Sequence, residues 1–281
     1  MNPARSHSRD FSLGMNTDIS ERVYGYRPNS ALAIAAAVVY GTLASALLFR
    51  VVMSRSWWGL CLPIGSFFVS LGFVLRVLSK HSPSSIGIFA IEGLFIICSP
   101  AAFLAFNYIT YGRLISYIGA EHSIINPGKV AGTFVISDVF TFLLQAGGSG
   151  LQTSYKLANT GQKIVLVGLA LQAVSYGFFI VLLIKSHISI KSSGSRPMDK
   201  SSTLIWVLYF SSAFIFIRCI YRVAEFAQGR GGYLLTHEVL LYLLDVLPLV
   251  LAITVYVPFW PARYLGYHRK ESLEMNGGLQ P

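Results

Sequence analysis

The residues from Ile164 to Ile184 read IVLVGLALQAVSYGFFIVLLI, an unbroken run without charge that has a lysine immediately outside each end. A helix needs about 20 mainly apolar residues to cross the hydrocarbon core of a bilayer, and this run is long enough. Its apolar residues do not alternate with polar ones, as they would in a strand of a membrane barrel. The run therefore predicts a transmembrane helix.

The composition extends this prediction to the whole chain of 281 residues, which is 54% hydrophobic and only 12% charged. An average soluble domain has about 25% charged residues. Backbone groups in lipid must be hydrogen-bonded within the protein, which favours helices. We therefore predict an all-α polytopic membrane protein, a bundle of seven transmembrane helices. The predicted spans are Ser30–Phe49, Trp58–Leu78, Ile86–Tyr108, Val130–Gly147, Ile164–Ile184, Leu204–Val223 and Val239–Pro258.

The spans form one predicted membrane domain, residues 30–260, between a polar N-terminal tail, residues 1–29, and a C-terminal tail, residues 261–281. Eleven basic residues flank the spans on one side and six on the other. Cytoplasmic connections carry the excess of lysine and arginine, so the N-terminus is predicted outside and the C-terminus in the cytosol. The polar stretch of residues 185–200, KSHISIKSSGSRPMDK, predicts a flexible cytosolic loop.

The net charge of +10 does not indicate a nucleic-acid-binding protein, because the basic residues are spread through short connections. Basic residues beside a span are attracted to acidic lipid headgroups, which are the expected counter-charge. The three cysteines all lie in apolar segments and form no Cys-x-x-Cys pair. They predict neither a disulfide framework nor a zinc site.

Polar side chains inside the spans are the candidate functional residues. A charge at the centre of a membrane helix costs about 2.5–3.5 kcal/mol on insertion scales, so these side chains are expected to face the bundle interior. Residues three, four and seven positions apart share a helix face, and the sixth and seventh spans each show such a polar face. The residues are Glu92 (third span), Asp138 and Gln145 (fourth), Gln172 (fifth), Arg218, Arg222 and Glu225 (sixth), and Glu238, Tyr242 and Asp245 (seventh).

Most of these residues fall in the outer half of the predicted bundle. We predict a polar cavity that opens outward and binds a substrate or a lipid headgroup, with Arg218 and Arg222 held by several carboxylates. Two arginines one turn apart suit a phosphate or carboxylate. The surplus carboxylates suit an amine equally well. The alternative is an ion-pair network that only fixes the packing of the helices.

Proline, glycine and tryptophan add local expectations. Pro100 and Pro248 lie inside spans and are expected to kink them, because proline removes a backbone hydrogen bond. The glycine-rich residues 147–150 predict an external turn. Trp260, at the end of the seventh span, is expected to lie at the membrane interface.

The spans and their polar residues suit three functional classes to different degrees. A translocator of lipids or amphiphiles is favoured, and because no Walker A pattern occurs, the chain itself is not expected to use ATP. A seven-span receptor also fits, although the chain has no Asp-Arg-Tyr after the third span and no Asn-Pro-x-x-Tyr in the seventh. A zinc-dependent lipid hydrolase needs about three protein ligands, whereas His237 is the one histidine at a span end. We therefore expect no enzyme activity, no cofactor and no metal.

Several stretches together resemble the fungal RTA-like proteins, the lipid-translocating exporter family. They extend from Tyr24 to Pro261, most of the chain, although Trp260-Pro261-Ala262 replaces the His-Pro-Gly that members of the family commonly carry there. The stretches are Tyr24-Gly25-Tyr26 with Pro28, Glu92-Gly93 with Pro100 and Tyr111-Gly112-Arg113, FVISDVFTFLLQAGGSG (134–150), GQKIVLVGLALQ (161–172) and IRCIYRVAEFAQGRGGYLLTHEVLLYLLD (217–245).

The resemblance implies seven spans, a plasma-membrane or related location, and a role in moving lipids or protecting against toxic amphiphiles such as sphingoid bases or sterol analogues. It implies membrane lipids or amphiphilic small molecules as partners. The polar residues that match the family's motifs are Glu92, Asp138, Gln145, Arg218, Arg222, Glu225, Glu238 and Asp245.

Overall fold

The computed structural model describes residues 30–81, 86–119, 125–152, 156–192, 199–229 and 232–265, and every regular element within these ranges is helical. The predicted N-terminal tail and residues 266–281 lie outside them. The α-helices are α1 (Ser30–Ser54), α2 (Cys61–His81), α3 (Ile86–Cys98), α4 (Ala101–Ile118), α5 (Pro127–Gln152), α6 (Ala158–Ser192), α7 (Asp199–Gln228), α8 (Tyr233–Thr236), α9 (Glu238–Leu241), α10 (Leu247–Thr254) and α11 (Pro261–Leu265). A 3-10 turn, Trp57–Gly59, links α1 to α2, and a π-helical segment, Tyr242–Val246, links α9 to α10.

Six helical stretches are long and apolar enough to cross a membrane, which confirms an all-helical membrane protein. Each contains most of one of the first six predicted spans. They are Ser30–Ser54, Trp57–Ser79, Ile91–Ile118, Gly128–Gln152, Ala158–Ser192 and Ser202–Gln228. The predicted seventh span corresponds to α9, the π segment and α10, which follow one another as pieces of four, five and eight residues.

The exposed faces of α5 and α6 carry large apolar side chains. Ile136 and Leu143 on α5 are 72% and 62% exposed, and Phe178 on α6 is 66% exposed. A soluble protein seldom leaves so large a contiguous apolar surface open to water. Lipid is the solvent that suits these faces, in agreement with the composition.

Pro100 divides the third membrane-crossing stretch, as predicted. Helix α3 ends at Cys98 and α4 begins at Ala101. Proline has no backbone N–H and its ring crowds the preceding turn, so the carbonyl of Ile96, four residues earlier, loses its helical donor. The break leaves carbonyl groups inside the bundle that need another donor.

Two connections differ from the sequence predictions. Residues 147–150 lie within α5 rather than in a turn, because two helices approach closely there: a Cβ atom added to Gly161 of α6 would lie 2.6 Å from the carbonyl oxygen of Gly148 of α5. The predicted flexible loop begins later than expected, since α6 continues to Ser192 with Ser186 and Ile190 buried against the bundle. Residues 193–198 lie outside the described ranges.

The two ends of the bundle are named here after Glu92 and Trp260. At the Trp260 end, the Trp260 ring is 1% exposed, packs on Phe106 at 5.6 Å between ring centroids, and donates an Nε1 hydrogen bond to Ser56. The protein buries the Trp260 ring, because residues 261–265 pack as α11 against α4 and α7. Its expected depth at the membrane interface stays a prediction. The Arg50 Nε also bonds the Val257 carbonyl at this end, at 2.6 Å.

Candidate functional site

Arg222 on α7 is the centre of a buried ion-pair group. Its Nε and Nη2 atoms donate to the two carboxylate oxygens of Asp245 at 2.7 and 2.5 Å. Its Nη1 donates to Glu225, one turn further along α7, at 2.9 Å. A two-pronged contact between guanidinium and carboxylate is both strong and geometrically specific. Arg222, Glu225 and Asp245 are each no more than 5% exposed, so the group is closed to solvent.

The π-helical segment places Asp245 opposite α7. The Leu247 N–H bonds the Tyr242 carbonyl, five residues back, just before Pro248 removes the next donor. Such one-turn π segments are often found at functional sites. The segment is also fixed from α1, because the buried Tyr40 hydroxyl donates to the Val246 carbonyl at 3.1 Å.

Arg218 joins this ion-pair group to the break in the third span. Its Nε lies 3.0 Å from Asp245 Oδ1. Its Nη2 donates to the carbonyls of Ile96 and Ile97 at 3.3 and 3.5 Å. These carbonyls are at the C-terminal end of α3, where the helix dipole favours a cation. Arg218 therefore supplies a donor to the Ile96 carbonyl that Pro100 leaves without one.

A second ion-pair group lies towards the Glu92 end. Arg76 Nη1 on α2 donates to Glu92 on α3 at 3.3 Å, and its Nη2 lies 3.7 Å from Glu238. The Tyr242 hydroxyl donates to Glu238 at 3.5 Å. The Glu238 side chain is 12% exposed, compared with 3% or less for Arg76 and Glu92. Glu238 is thus the most exposed of these three charged residues.

Arg76 was missed by the sequence reasoning, although the rule applied to the other spans also covers it. It is an ionisable residue inside the second predicted span and is 4% exposed. The sequence analysis offered Arg218 and Arg222 as the partners of the carboxylates, whereas in the structure Glu92 and Glu238 contact Arg76.

The structure thus brings together seven of the ten candidate residues named from the sequence, in two adjoining groups. They are Glu92, Glu238 and Tyr242 in the group around Arg76, and Arg218, Arg222, Glu225 and Asp245 in the group around Arg222. The two groups adjoin because Tyr242 and Asp245 share the π segment, and Glu92 lies one helical turn before Ile96.

Gln145 lies apart from both ion-pair groups. It donates through Nε2 to the Gln172 side chain of α6 at 2.9 Å, and both residues are buried. Its Cγ would lie 2.9 Å from a Cβ atom added to Gly168, so α5 and α6 pack closely at this level. In this structure the contact of Gln145 is between helices.

Asp138 is also separate. It is 4% exposed, and neither of its carboxyl oxygens has a hydrogen-bond partner within the described ranges. The groups that act on it electrostatically are the Tyr108 hydroxyl of α4 and the Cys219 thiol of α7. The Tyr108 hydroxyl does not meet the geometry of a hydrogen bond.

A neutral polar network, also missed from the sequence, occupies the half of the bundle towards the Trp260 end. The Asn107 amide on α4 donates to Tyr176 at 2.9 Å and to Ser211 at 3.2 Å, and its Nδ2 lies 3.5 Å from Ser212. The Tyr256 hydroxyl donates to the amide oxygen of Asn107 at 2.7 Å. All five residues are at most 1% exposed. Uncharged residues of this kind carry no signal that separates a buried polar residue from an interfacial one.

A groove of about 610 Å³ runs between α5 and α6 on the outer face of the bundle. This volume is in the range of small-molecule sites, roughly 300–1,000 Å³. The aromatic rings of Phe134, Phe140 and Phe178 line it, and Lys185 lies at one end. The groove is therefore apolar along most of its lining, and the Lys185 ammonium group lies at the end nearer to Trp260.

Within the described ranges, no three His, Cys, Asp or Glu residues are grouped so that they could hold a metal ion. His237 contacts Tyr233 and Thr236 on the neighbouring turn.

Comparison with known proteins connects this arrangement to a family. The family model described as "RTA1 like protein" matches residues 62–268, which include all the residues of both ion-pair groups. No solved structure matches the chain.

Three relatives come from Saccharomyces cerevisiae. Protoporphyrin uptake protein 1 is 32% identical over 68% of this chain and 65% of its own length, so the chain spans about two thirds of that relative. Protein RTA1 is 30% identical over 75% of this chain and 68% of its own length. Sphingoid long-chain base transporter RSB1 is 27% identical over 84% and 72%. Two of the three names thus describe uptake or transport, one of protoporphyrin and the other of sphingoid long-chain bases.

Proposed function

Because the chain belongs to the RTA1-like family of fungal membrane proteins, we propose that it moves lipids or other amphiphiles across a membrane and protects the cell from toxic ones. The observation that carries the proposal is the pair of buried ion-pair groups inside an apolar bundle. Charged residues within a membrane are costly, and they commonly mark substrate or ion pathways. The names of the yeast relatives support the same class of cargo.

The proposal includes seven membrane crossings, with the N-terminus outside and the C-terminus in the cytosol. The last helical segment supports a seventh crossing, because Glu238 lies near Arg76 at the Glu92 end and Val257 bonds Arg50 at the Trp260 end. The distribution of basic residues supports a cytosolic Trp260 end. We propose the plasma membrane as the location, as the family resemblance implies.

The charge balance favours a cationic headgroup. Four carboxylates, those of Glu92, Glu225, Glu238 and Asp245, accompany three arginines in the two groups. Arg218 and Arg222 already contact protein oxygens, so an anionic headgroup would have to displace them. A protonated amine or quaternary ammonium beside Glu238, the most exposed carboxylate of the two groups, would instead offset the excess negative charge.

The groove between α5 and α6 supports a route for the apolar tail. Apolar and aromatic side chains line most of it, so an alkyl chain can lie in it without entering water. The headgroup and the tail would thus use different surfaces of the bundle. No residue is proposed to be catalytic, and no cofactor or metal is proposed.

Arg222→Met tests the site. The change leaves Glu225 without its guanidinium partner and Asp245 with Arg218 alone. The buried charges no longer balance, so the variant is expected to lose amphiphile movement. The purified protein is placed in liposomes that contain an alkyl trimethylammonium with a fluorescent NBD group. Dithionite added outside then measures how fast the probe changes leaflet.

The double variant Arg222→Met, Glu225→Gln also removes the carboxylate that is left without a partner, while Asp245 keeps its contact with Arg218. It therefore separates the loss of the site from simple misfolding. We expect it to fold and to remain inactive. If either variant folds and moves the probe at the wild-type rate, the ion-pair groups are not the site. If wild-type liposomes move the probe no faster than empty ones, the translocator proposal is wrong.

A receptor for amphiphiles is the second candidate, favoured by the closed packing around Arg222. A receptor would be stabilised against heat by the same probe without moving it between leaflets. The receptor function would be supported if the probe raises the melting temperature of the protein but changes leaflet no faster than in liposomes without protein.

A further inference from the structure

Asp138 is an exception among the buried acidic residues that the structure describes. Glu92, Glu225 and Asp245 each contact an arginine, at 3.3, 2.9 and 2.5 Å. Asp138 forms no ion pair and no side-chain hydrogen bond within the described ranges, although it is 4% exposed. An isolated carboxylate in an apolar interior is far less stable than the neutral acid. Asp138 is therefore expected to hold a proton in this conformation.

Among the residues that the structure describes, no permanently charged group acts on Asp138 to hold it ionised. The titratable groups that face it are the Tyr108 hydroxyl of α4 and the Cys219 thiol of α7. Tyr176 of α6 lies behind Tyr108, with ring centroids 5.9 Å apart. All three groups are neutral near pH 7 unless their environment ionises them. A change that brings water or a cation to Asp138 would release its proton.

Polar groups lie on both sides of Asp138 along the bundle. Towards the Trp260 end, Tyr176 accepts a hydrogen bond from Asn107, which in turn accepts one from Tyr256. Towards the Glu92 end, Cys219 is followed in the next turn by Arg222 and its carboxylates. Asp138 lies near the midpoint of α5, between the ion-pair groups and the neutral network. Chains of protonatable and hydrogen-bonding groups are a common form of proton relay in pumps and transporters.

The groove between α5 and α6 shares a helix face with Asp138. Phe134 and Thr141 line the groove, and they lie four residues before and three residues after Asp138 on α5. Residues at these spacings occupy one face of a helix. A molecule bound in the groove would therefore contact Phe134 and Thr141, which flank Asp138 on α5. This contact is a physical link between the transported molecule and the carboxyl group.

We propose that Asp138 is a proton-binding site that couples the movement of amphiphiles to a proton gradient. This inference rests on the proposed translocator function. A proton from the more acidic compartment forms an O–H bond with the Asp138 carboxylate. When the conformation changes, that bond breaks and the proton passes to water on the other side, with no change in oxidation state.

The test uses the full-length protein in liposomes with a pH gradient, acidic on one side. The probe is the NBD-labelled alkyl trimethylammonium, whose charge does not depend on pH, and valinomycin with equal potassium on both sides holds the membrane potential at zero. If one proton moves for each probe molecule, each unit of gradient gives about a tenfold bias in probe distribution. Collapsing the gradient with a protonophore should remove that bias.

Asp138→Asn is expected to abolish the bias, because the amide keeps the size of the neutral acid but cannot release a proton. Val139→Ala is the matched control, since Val139 is the next residue and is 53% exposed on the outer face. It should retain the wild-type bias. Infrared spectra provide a readout without cargo: the carbonyl band of a protonated carboxyl group should be present in the wild type and lost in Asp138→Asn.

The outcomes separate the two proposals. If the wild-type protein moves the probe equally with and without the pH gradient, proton coupling is overturned and the proposed translocator function still stands. A full bias in folded Asp138→Asn also overturns it, as does the absence of an infrared band that depends on Asp138. No movement by the wild type under any condition overturns the proposed function itself and, with it, the coupling.

Discussion

At the scale of single residues, the main determinant is how each buried charge is neutralised. Arg76 illustrates this most clearly, because it is the arginine that contacts both Glu92 and Glu238. A buried ion pair is often no more stabilising than an apolar pair of the same size, but removing one partner leaves an uncompensated charge. The stability of this region should therefore depend on the matching of charges more than on their presence.

Arg76→Met is predicted to destabilise the protein by about 3–5 kcal/mol, because Glu92 loses its ion-pair partner in an apolar interior. The double variant Arg76→Met, Glu92→Gln should recover most of that loss. Thermal unfolding in detergent measures the effect. Unfolding is monitored by the reaction of a fluorescent maleimide with the Cys219 thiol, which is buried in the folded protein. Equal melting temperatures for the single and double variants would contradict the assignment of this pair.

Asp138 shows the opposite case at the same scale. Its carboxyl group has neither cation nor hydrogen-bond donor in the described structure, so its environment favours the neutral acid. A residue with these properties can change its charge when the bundle changes conformation, whereas the carboxylates held by arginine cannot do so without breaking ion pairs.

At the scale of helices, backbone geometry decides where side chains meet. The third span is interrupted at Pro100, and the last segment contains a π-helical turn before Pro248. Arg218 donates to the carbonyl exposed by the first interruption, and Asp245 is presented by the second. Both irregularities therefore meet at the same arginine pair on α7, a place where a small change in helix angle would alter several ion pairs.

The close approach of α5 and α6 depends on glycine. Gly161→Ala would put a methyl group 2.6 Å from the Gly148 carbonyl oxygen, and we predict a loss of about 1–3 kcal/mol from the overpacked contact. Gly147→Ala is the matched control, because nothing lies within 4 Å of an added Cβ there. It should be neutral or more stable by up to about 1 kcal/mol, since alanine favours helix.

Thermal unfolding of the two glycine variants, measured as above, tests the packing directly. Gly161→Ala with the stability of Gly147→Ala would mean that the helices do not touch at Gly148. Because Gln145 and Gln172 bond across the same interface, their contact should be lost along with the close packing.

At the scale of the whole molecule, the two ends of the bundle differ in character. The Glu92 end holds the ion-pair groups, and the Trp260 end is closed by aromatic packing around Phe106, Tyr256 and Trp260. Basic residues predominate in the connections at the Trp260 end. The positive-inside rule applied to this asymmetry predicts one orientation in the membrane.

Epitope tags placed at the two termini test that orientation. A tag before residue 1 should bind antibody on intact cells, and a tag after residue 281 should bind only after the membrane is permeabilised. An odd number of crossings requires the two tags to differ. Two tags on the same side would contradict the seventh crossing, and a reversed pattern would contradict the orientation.

The amino-acid sequence by itself determined the class of protein and most residues of the two buried ion-pair groups. Long apolar segments without charge specify helices in lipid, and six of them are confirmed. The cost of charge in hydrocarbon made Arg218, Arg222 and Asp245 conspicuous, and their spacing placed them on facing helices. The same rule, applied to the second span, would also have found Arg76.

Only the tertiary structure decided which polar groups pair and which remain alone. Helical spacing gives the face of one helix, but not the rotation or depth of its neighbours. It therefore could not distinguish Asp138 from Asp245, or find the network around Asn107. The sequence also predicted a turn at residues 147–150, because glycine destabilises an isolated helix. In the bundle, glycine instead permits two helices to pack closely. Pairing in a bundle is a property of several helices together, and no single segment encodes it.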